Sequence, residues 1–128
     1  MKYLVLFVLS SFSGSNEVYK RHIQVCSSTL AIDKKWDLYL RDNNTFTYVI
    51  KTIDSKLVRQ NKQDVLSGKW SKLNDTLRLK PINAYDVNRN TLQQKECLFI
   101  IKDGKLYPVE IEAEVVGNTV IVLDFLEK

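Results

Sequence analysis

In residues 36–50, WDLYLRDNNTFTYVI, apolar and polar side chains alternate on both sides of a turn signal. An alternation with a period of two predicts a half-buried β-strand before the turn and another after it. The three residues between the runs, Asp42, Asn43 and Asn44, are residue types that favour turns. The stretch therefore predicts an antiparallel hairpin.

The register of this hairpin follows from keeping both apolar sets on one face. A two-residue loop at 43–44 would place Leu40 opposite Thr47 and send the two sets to opposite faces, because a one-residue slip inverts every side chain. We therefore predict a three-residue loop with Asn44 in the left-handed conformation that such loops need. The resulting pairs are Leu40 with Phe46, Leu38 with Tyr48 and Trp36 with Ile50.

A second hairpin is predicted over residues 66–80, LSGKWSKLNDTLRLK. A two-residue loop at Asn74 and Asp75 gives a face that carries Trp70, Leu77 and Leu79. Gly68 then lies opposite Pro81, where a glycine indicates a bend or a bulge. Further pairs in this register are Trp70 with Leu79 and Lys72 with Leu77.

The C-terminal third predicts two more hairpins. Asp103 and Gly104 form a strong hairpin signal. A three-residue loop at 117–119 would pair Val115 with Ile121 and continue that match along both strands. The inward residues would then be Val109, Ile111, Ala113, Val115, Ile121, Leu123 and Phe125, and the residues on a solvated outer face would be Glu110, Glu112 and Glu114.

About eight strands are predicted in all, which makes the protein all-β. Their short connections favour a small antiparallel up-and-down barrel, in which closure removes both sheet edges; an open sandwich is the alternative. Residues 54–64 are predicted to connect two strands and could hold a helical turn. Residues 83–94 are predicted to form a long loop at the mouth of the barrel. The predicted strands are 21–26, 36–41, 45–53, 65–72, 76–81, 96–102, 106–116 and 119–126.

The beginning of the chain is typical of a secretory signal peptide. Lys2 precedes a short apolar run, and small residues follow it. We predict a signal peptide over residues 1–15, a single β-barrel domain over 16–128, and an exported protein, periplasmic or secreted, without a stable membrane anchor. The alternatives for the apolar run are a buried first strand or an uncleaved anchor.

Composition limits the size and the partners of the protein. With 128 residues, of which 45% are hydrophobic, one domain with one core is expected. The net charge of +4 comes from 19 basic and 15 acidic residues. The basic residues do not alternate with exposed aromatic ones and carry no binding motif, so we predict a solvated surface rather than a nucleic-acid partner.

Four segments resemble small lipocalin-like barrels of bacterial envelope proteins. They are LYLRDNNTFTY at 38–48, SGKWS at 67–71, NDTLRL at 74–79 and KDGKLY at 102–107. The pattern resembles the N-terminal domain of NlpE-like copper-resistance lipoproteins, which implies a lipocalin-like barrel. The family's Cys-x-x-Cys pair and its lipidated N-terminal cysteine are both absent here, so the resemblance implies neither copper sensing nor membrane anchoring.

The sequence contains no recognisable catalytic or metal-binding set of residues. His22 is the only histidine, and one histidine with two separated cysteines does not supply a spaced set of metal ligands. We therefore predict no catalytic residue, no metal and no cofactor. Because an even cysteine count in an oxidising compartment favours pairing, we also predict a disulfide between Cys26 and Cys97.

The function expected from this pattern is non-enzymatic binding of a small apolar or amphipathic ligand inside the barrel. The alternatives are a protein-binding module, such as an inhibitor of a secreted hydrolase, and a small enzyme. The predicted ligand-binding residues are Trp36, Leu38, Tyr48 and Trp70.

Overall fold

The computed structural model describes residues 16–26, 31–54, 60–82, 96–116 and 119–128. These residues form a closed antiparallel barrel and a separate two-stranded sheet. The barrel order is β1-β10-β7-β6-β5-β4-β3-β2, and the second sheet pairs β8 with β9. The strands are β1 (Glu17–Cys26), β2 (Ala31–Leu40), β3 (Thr45–Asp54), β4 (Gln60–Leu73), β5 (Thr76–Pro81), β6 (Cys97–Lys102), β7 (Lys105–Pro108), β8 (Ala113–Val116), β9 (Thr119–Val122) and β10 (Leu126–Glu127).

The all-β class and the small closed barrel are confirmed, and so are both predicted registers of the central hairpins. Asn44 has φ 65° and allows the three-residue loop, so that Leu40 lies opposite Phe46. Across the second loop Trp70 lies opposite Leu79, and Asn74 has φ 57°. The Asp103–Gly104 turn also forms, with both residues at positive φ.

Two predicted connections and two predicted strands differ from the structure. Strand β2 begins at Ala31 and β4 begins at Gln60, so the predicted connections 27–35 and 54–64 are partly strand. The predicted strands 106–116 and 119–126 are each interrupted, because residues 109–112 and 123–125 lead out of the barrel into the β8–β9 hairpin and back. The predicted signal peptide and the predicted loop at 83–94 lie outside the described residues.

The core fills the end of the barrel next to the two central turns. Its aromatic centre is Trp36, Phe46, Tyr48 and Phe99, with Trp36 2% exposed. The rings of Tyr48 and Phe99 meet edge to face, with centroids 6.3 Å apart. Leucines complete the core, and the fully buried ones are Leu38, Leu77, Leu79, Leu106 and Leu126.

The barrel closes through a very short strand. Strand β10 has two residues, of which Glu127 pairs with Lys20 of β1 and both pair with β7. By contrast, β1 pairs with β2 along ten residues. Beside this closure, the Arg21 guanidinium and the Lys105 ammonium each lie 4.5 Å from the centroid of the Phe125 ring.

Gly68 is required where β4 passes β5. A Cβ atom added there would lie 2.2 Å from the Lys80 carbonyl oxygen, 2.8 Å from the Ile82 nitrogen and 2.9 Å from the Pro81 Cα. All three are backbone atoms, so neither strand can yield without changing the ladder. The glycine predicted to mark a bend therefore permits a close approach of two strands.

We predict that Gly68→Ala lowers the free energy of unfolding by about 3 kcal/mol, because overpacking costs of this order arise when neighbours cannot move. Urea melts read by Trp36 fluorescence measure the loss. Ser67→Ala, one residue away on the same strand, serves as the control and should change stability by less than about 0.5 kcal/mol. Equal stability of the two variants would contradict the close approach.

Candidate functional site

The inward face of the barrel changes from apolar to polar along β2, β3 and β4. Beyond Trp36, the next inward residue of β2 is Lys34, which lies opposite Thr52 of β3, and Thr52 lies opposite Lys62 of β4. Lys34 is 7% exposed, and Thr52 is also buried. In the following row Asp54 is buried as well, opposite the buried and apolar Ile32 of β2. At this end of the barrel interior, which we call the polar end, charged and hydroxyl groups therefore lie among apolar side chains.

The β8–β9 hairpin places the Glu114 carboxylate against this polar end. The Lys34 ammonium donates to Glu114 Oε1, and the Lys62 ammonium donates to Oε2 at 3.2 Å. Lys34 Nζ also lies 5.2 Å from the centroid of the Trp36 ring. A single carboxylate thus bridges two cations, one of which is buried.

Glu112, two residues earlier in the chain, is more deeply buried than Glu114. The Tyr48 hydroxyl, from the core, donates to Glu112 Oε2 at 3.3 Å. Burial raises the pKa of Glu112, and the Tyr48 hydrogen bond and the Lys34 charge oppose that rise only in part. Burial and then the Glu112 charge raise the pKa of Tyr48 well above its ordinary value. Glu112 is therefore protonated more readily than an exposed glutamate.

Glu114 has the opposite electrostatic setting. Burial alone would raise its pKa, but the hydrogen bonds from Lys34 and Lys62, followed by the charges of these two lysines, outweigh burial and lower the pKa. The two glutamates of one short segment therefore differ in protonation behaviour because only Glu114 has direct cationic partners.

Two open cavities meet at residues 111–113. The first, of about 500 Å³, includes Trp36 and Ile50 in its apolar lining and Lys34 and Lys62 in its charged lining, which also has three acidic residues, Asp64, Glu112 and Glu114. The second, of about 580 Å³, is lined by apolar side chains and by Cys97 and three glutamates. Glu112 lines both cavities. The apolar side chains of the second cavity include Leu66, Phe99 and Pro108.

The prediction that the glutamates of this segment face solvent is wrong for Glu112 and Glu114. Val115 pairs with Val120 and Glu114 with Ile121, so the register differs by one residue from the predicted match of Val115 with Ile121. The predicted register would have left the Lys34 ammonium without this carboxylate, and a buried unpaired charge is costly. The side chains exposed instead are aliphatic, with Ile111 82% and Val115 69% exposed.

The four predicted ligand-binding residues are distributed through the barrel. Trp36 lines the first cavity. Leu38 and Tyr48 are fully buried core residues, and the Tyr48 hydroxyl reaches Glu112. Trp70 is partly buried at the other end of the barrel, where its indole N–H donates to the Arg41 carbonyl at 2.9 Å.

The sequence reasoning missed the four charged residues at the polar end: Lys34, Lys62, Glu112 and Glu114. A signal for Lys34 was present, because it continues the alternating inward positions of Trp36 and Leu38. No comparable signal exists for the glutamates, since their face depends on the register of a short hairpin.

The remaining chemistry-bearing residues do not form a site in the described part of the chain. No disulfide joins Cys26, exposed on β1, to Cys97 on β6, because β10 and β7 lie between those strands in the barrel. His22 is exposed and pairs with Asp33. Among residues that the structure describes, no group of three potential metal ligands is gathered, and no helix has the length and apolarity to cross a membrane.

No known protein family, curated protein or solved structure matches this chain. The likeness to NlpE-like domains therefore remains a prediction that rests on strand and turn pattern.

We predict opposite pH dependences for Glu112→Gln and Glu114→Gln. The raised pKa of Glu112 means that the wild type loses stability as pH rises above the ordinary value of 4.5, so the stability of Glu112→Gln relative to the wild type should increase over that interval. The lowered pKa of Glu114 means that its stabilisation is complete above 4.5 and is lost as pH falls through the lowered pKa.

At neutral pH, Glu114→Gln should therefore cost about 3 kcal/mol, because it leaves Lys34 without its anion, and this deficit should shrink in acid. Urea melts at pH values from about 3 to about 8 measure both profiles. Parallel profiles for the two variants would contradict the different settings of the two carboxylates.

Proposed function

We propose that the protein is an exported, non-enzymatic barrel that binds a small amphipathic molecule at its polar end. The observation that carries this proposal is the cavity of about 500 Å³ in which Trp36 and Ile50 adjoin Lys34 and Lys62. The volume lies within the range of roughly 300–1,000 Å³ that is typical of small-molecule sites, and the lining is largely polar, with Trp36 and Ile50 among its apolar side chains. An apolar body would contact the ring and the aliphatic side chain, and a polar group would contact the ammonium groups.

Two further observations support the proposal. A barrel of about eight strands has an interior that can hold one small ligand. The second cavity adjoins the first at residues 111–113 and offers Leu66 and Phe99 as further apolar contacts. Export is proposed from the sequence of residues 1–15, in which a basic start, an apolar run and small residues follow one another.

Titration with N-phenyl-1-naphthylamine, a neutral apolar fluorophore, tests the proposal. We expect a saturable rise in fluorescence with one molecule bound, and competition by decanol or by decanoate. Ile50→Ala, at a partly exposed position of the cavity wall, should weaken binding by about 1 kcal/mol through lost apolar contact. Val49→Ala, one residue away on the outer face of β3, is the matched control and should bind as the wild type does.

Non-saturable fluorescence, or equal weakening in the Ile50 and Val49 variants, would contradict a ligand site at the polar end. Urea melts of both variants identify any loss of binding that comes from unfolding, because Ile50 packs against the core.

The exposed face of the β8–β9 hairpin favours a protein-binding module as a second candidate function. Val115 lies opposite Val120, and Ala113 lies opposite Val122, so aliphatic side chains adjoin one another on the outward face. Ile111 extends the same face. Contiguous exposed apolar surface is typical of interaction sites.

A double variant, Val115→Thr with Val120→Thr, tests the second candidate. Native mass spectrometry of the protein purified from its host should detect a protein bound to the wild type and lost from the variant. Val65→Thr, an exposed position on the outer side of β4, is the control and should retain that protein. Wild-type protein free of any bound protein would contradict this candidate and leave the ligand proposal standing.

A further inference from the structure

We infer that the ligand of the polar end carries an anionic group, which binds between Lys34 and Lys62 in the place that the Glu114 carboxylate now occupies. This inference rests on the proposed function and names the class of molecule that the cavity takes. The class is an amphiphile with one anionic group that presents two oxygens to the lysines, such as a carboxylate, or a phosphate monoester through two of its three terminal oxygens.

The first step is the requirement of Lys34 for an anion. Its side chain is 8% exposed, and its ammonium donates to Glu114 Oε1. If a ligand displaced Glu114 without supplying a negative charge, a buried ammonium would lose its direct carboxylate partner, which is strongly unfavourable. An anionic ligand replaces that partner, whereas a neutral ligand of the same shape does not.

The second step is the geometry of the cation pair. Lys34 holds one oxygen of the Glu114 carboxylate and Lys62 holds the other, with Lys62 Nζ 3.2 Å from Oε2. The pair is therefore arranged for an anion with two oxygens. Trp36, whose ring centroid lies 5.2 Å from Lys34 Nζ, supplies apolar surface directly beside the charge.

The third step is that Glu114 lies on a hairpin that pairs with no barrel strand. Strands β8 and β9 form their own two-stranded sheet outside the barrel ladder. Rotation of the Glu114 side chain away from Lys34 breaks no strand pairing and leaves Ile121 and Leu123 buried in the core. The barrel can therefore persist while the Glu114 carboxylate leaves its position.

The other acidic residues of the cavity limit the charge of the ligand. Glu112 and Asp64 line the same cavity as Lys34 and Lys62. Two ammonium groups beside two further carboxyl groups suit a single negative charge better than a dianion, because like charges close together repel. We therefore expect a carboxylate to bind more tightly than a phosphate monoester.

Isothermal titration at neutral pH with decanoate, decanol and decyl phosphate, each below its micelle concentration, tests the inference. The variants are Lys34→Met and Glu114→Gln, and Lys35→Met is the matched control on the exposed side of β2. The wild type should bind decanoate roughly 10- to 100-fold more tightly than decanol, the ratio expected of a charge-assisted hydrogen bond. Lys34→Met should bring this ratio close to one, and Lys35→Met should leave it unchanged.

Glu114→Gln should tighten the binding of decanoate, because the competing carboxylate is gone, and leave the binding of decanol unchanged. Lys62→Met, at a half-exposed position, decides the question if Lys34→Met does not fold, and should also lower the preference for decanoate over decanol. Tighter binding of decyl phosphate than of decanoate would contradict the limit that Glu112 and Asp64 place on the charge of the ligand. Equal affinities for decanoate and decanol in the wild type would overturn the inference while the proposed function stands, whereas no binding of any of the three would overturn both.

Discussion

The left-handed turn at Asn44 is the constraint on which the interior of this protein depends. With Asn44 at φ 65°, its N–H donates to the Arg41 carbonyl and the Arg41 N–H donates to the Thr45 carbonyl, so Leu40 lies opposite Phe46. The Asn44 carbonyl in turn accepts from the Trp70 N–H of β4. A slip of one residue here would reverse the faces of β2 relative to β3. The same register that buries the aromatic core thus also directs Lys34 and Thr52 inward.

That inward lysine explains the unusual orientation of the β8–β9 hairpin. Aliphatic side chains ordinarily turn toward a barrel and glutamates toward water, yet this hairpin directs Glu114 inward and Val115 outward. The carboxylate neutralises a buried ammonium, and Ile121 and Leu123 retain apolar contact with the core. Leaving the buried Lys34 ammonium unpaired would therefore cost more free energy than exposing a few aliphatic side chains. Each exposed side chain loses only part of the free energy of transfer from water to an apolar environment.

The sequence predicts most of the fold because local rules and global packing agree in the central hairpins. Turn chemistry at Asn44, Asn74 and Gly104 matches the alternation of the adjoining strands. The same reasoning fails at the C-terminal hairpin, where matching apolar residues gives the wrong register. The deciding contact there, between Lys34 and Glu114, joins residues far apart in the chain, and no local pattern encodes it.

For the same reason the candidate site is less predictable from the sequence than the barrel. Trp36 could be named as a lining residue because its inward position follows from the hairpin alone. The charged lining of the first cavity combines residues of β2 and β4 with residues of the segment that follows β7 and continues into β8. Its composition therefore depends on the path of residues 109–112, which carry no strand alternation in the structure.

Neighbouring strands of the barrel are paired through far fewer residues at the two-residue strand β10 than between β1 and β2. Strands β1 and β2 share a long ladder, whereas the connection from β1 to β7 passes through Leu126 and Glu127. Cooperative units with few hydrogen bonds separate first in native-state fluctuations. When these pairs open, the edge of β1 is free to pair with another strand, so a second copy of the chain that supplies its own Leu126–Glu127 there forms a swapped dimer.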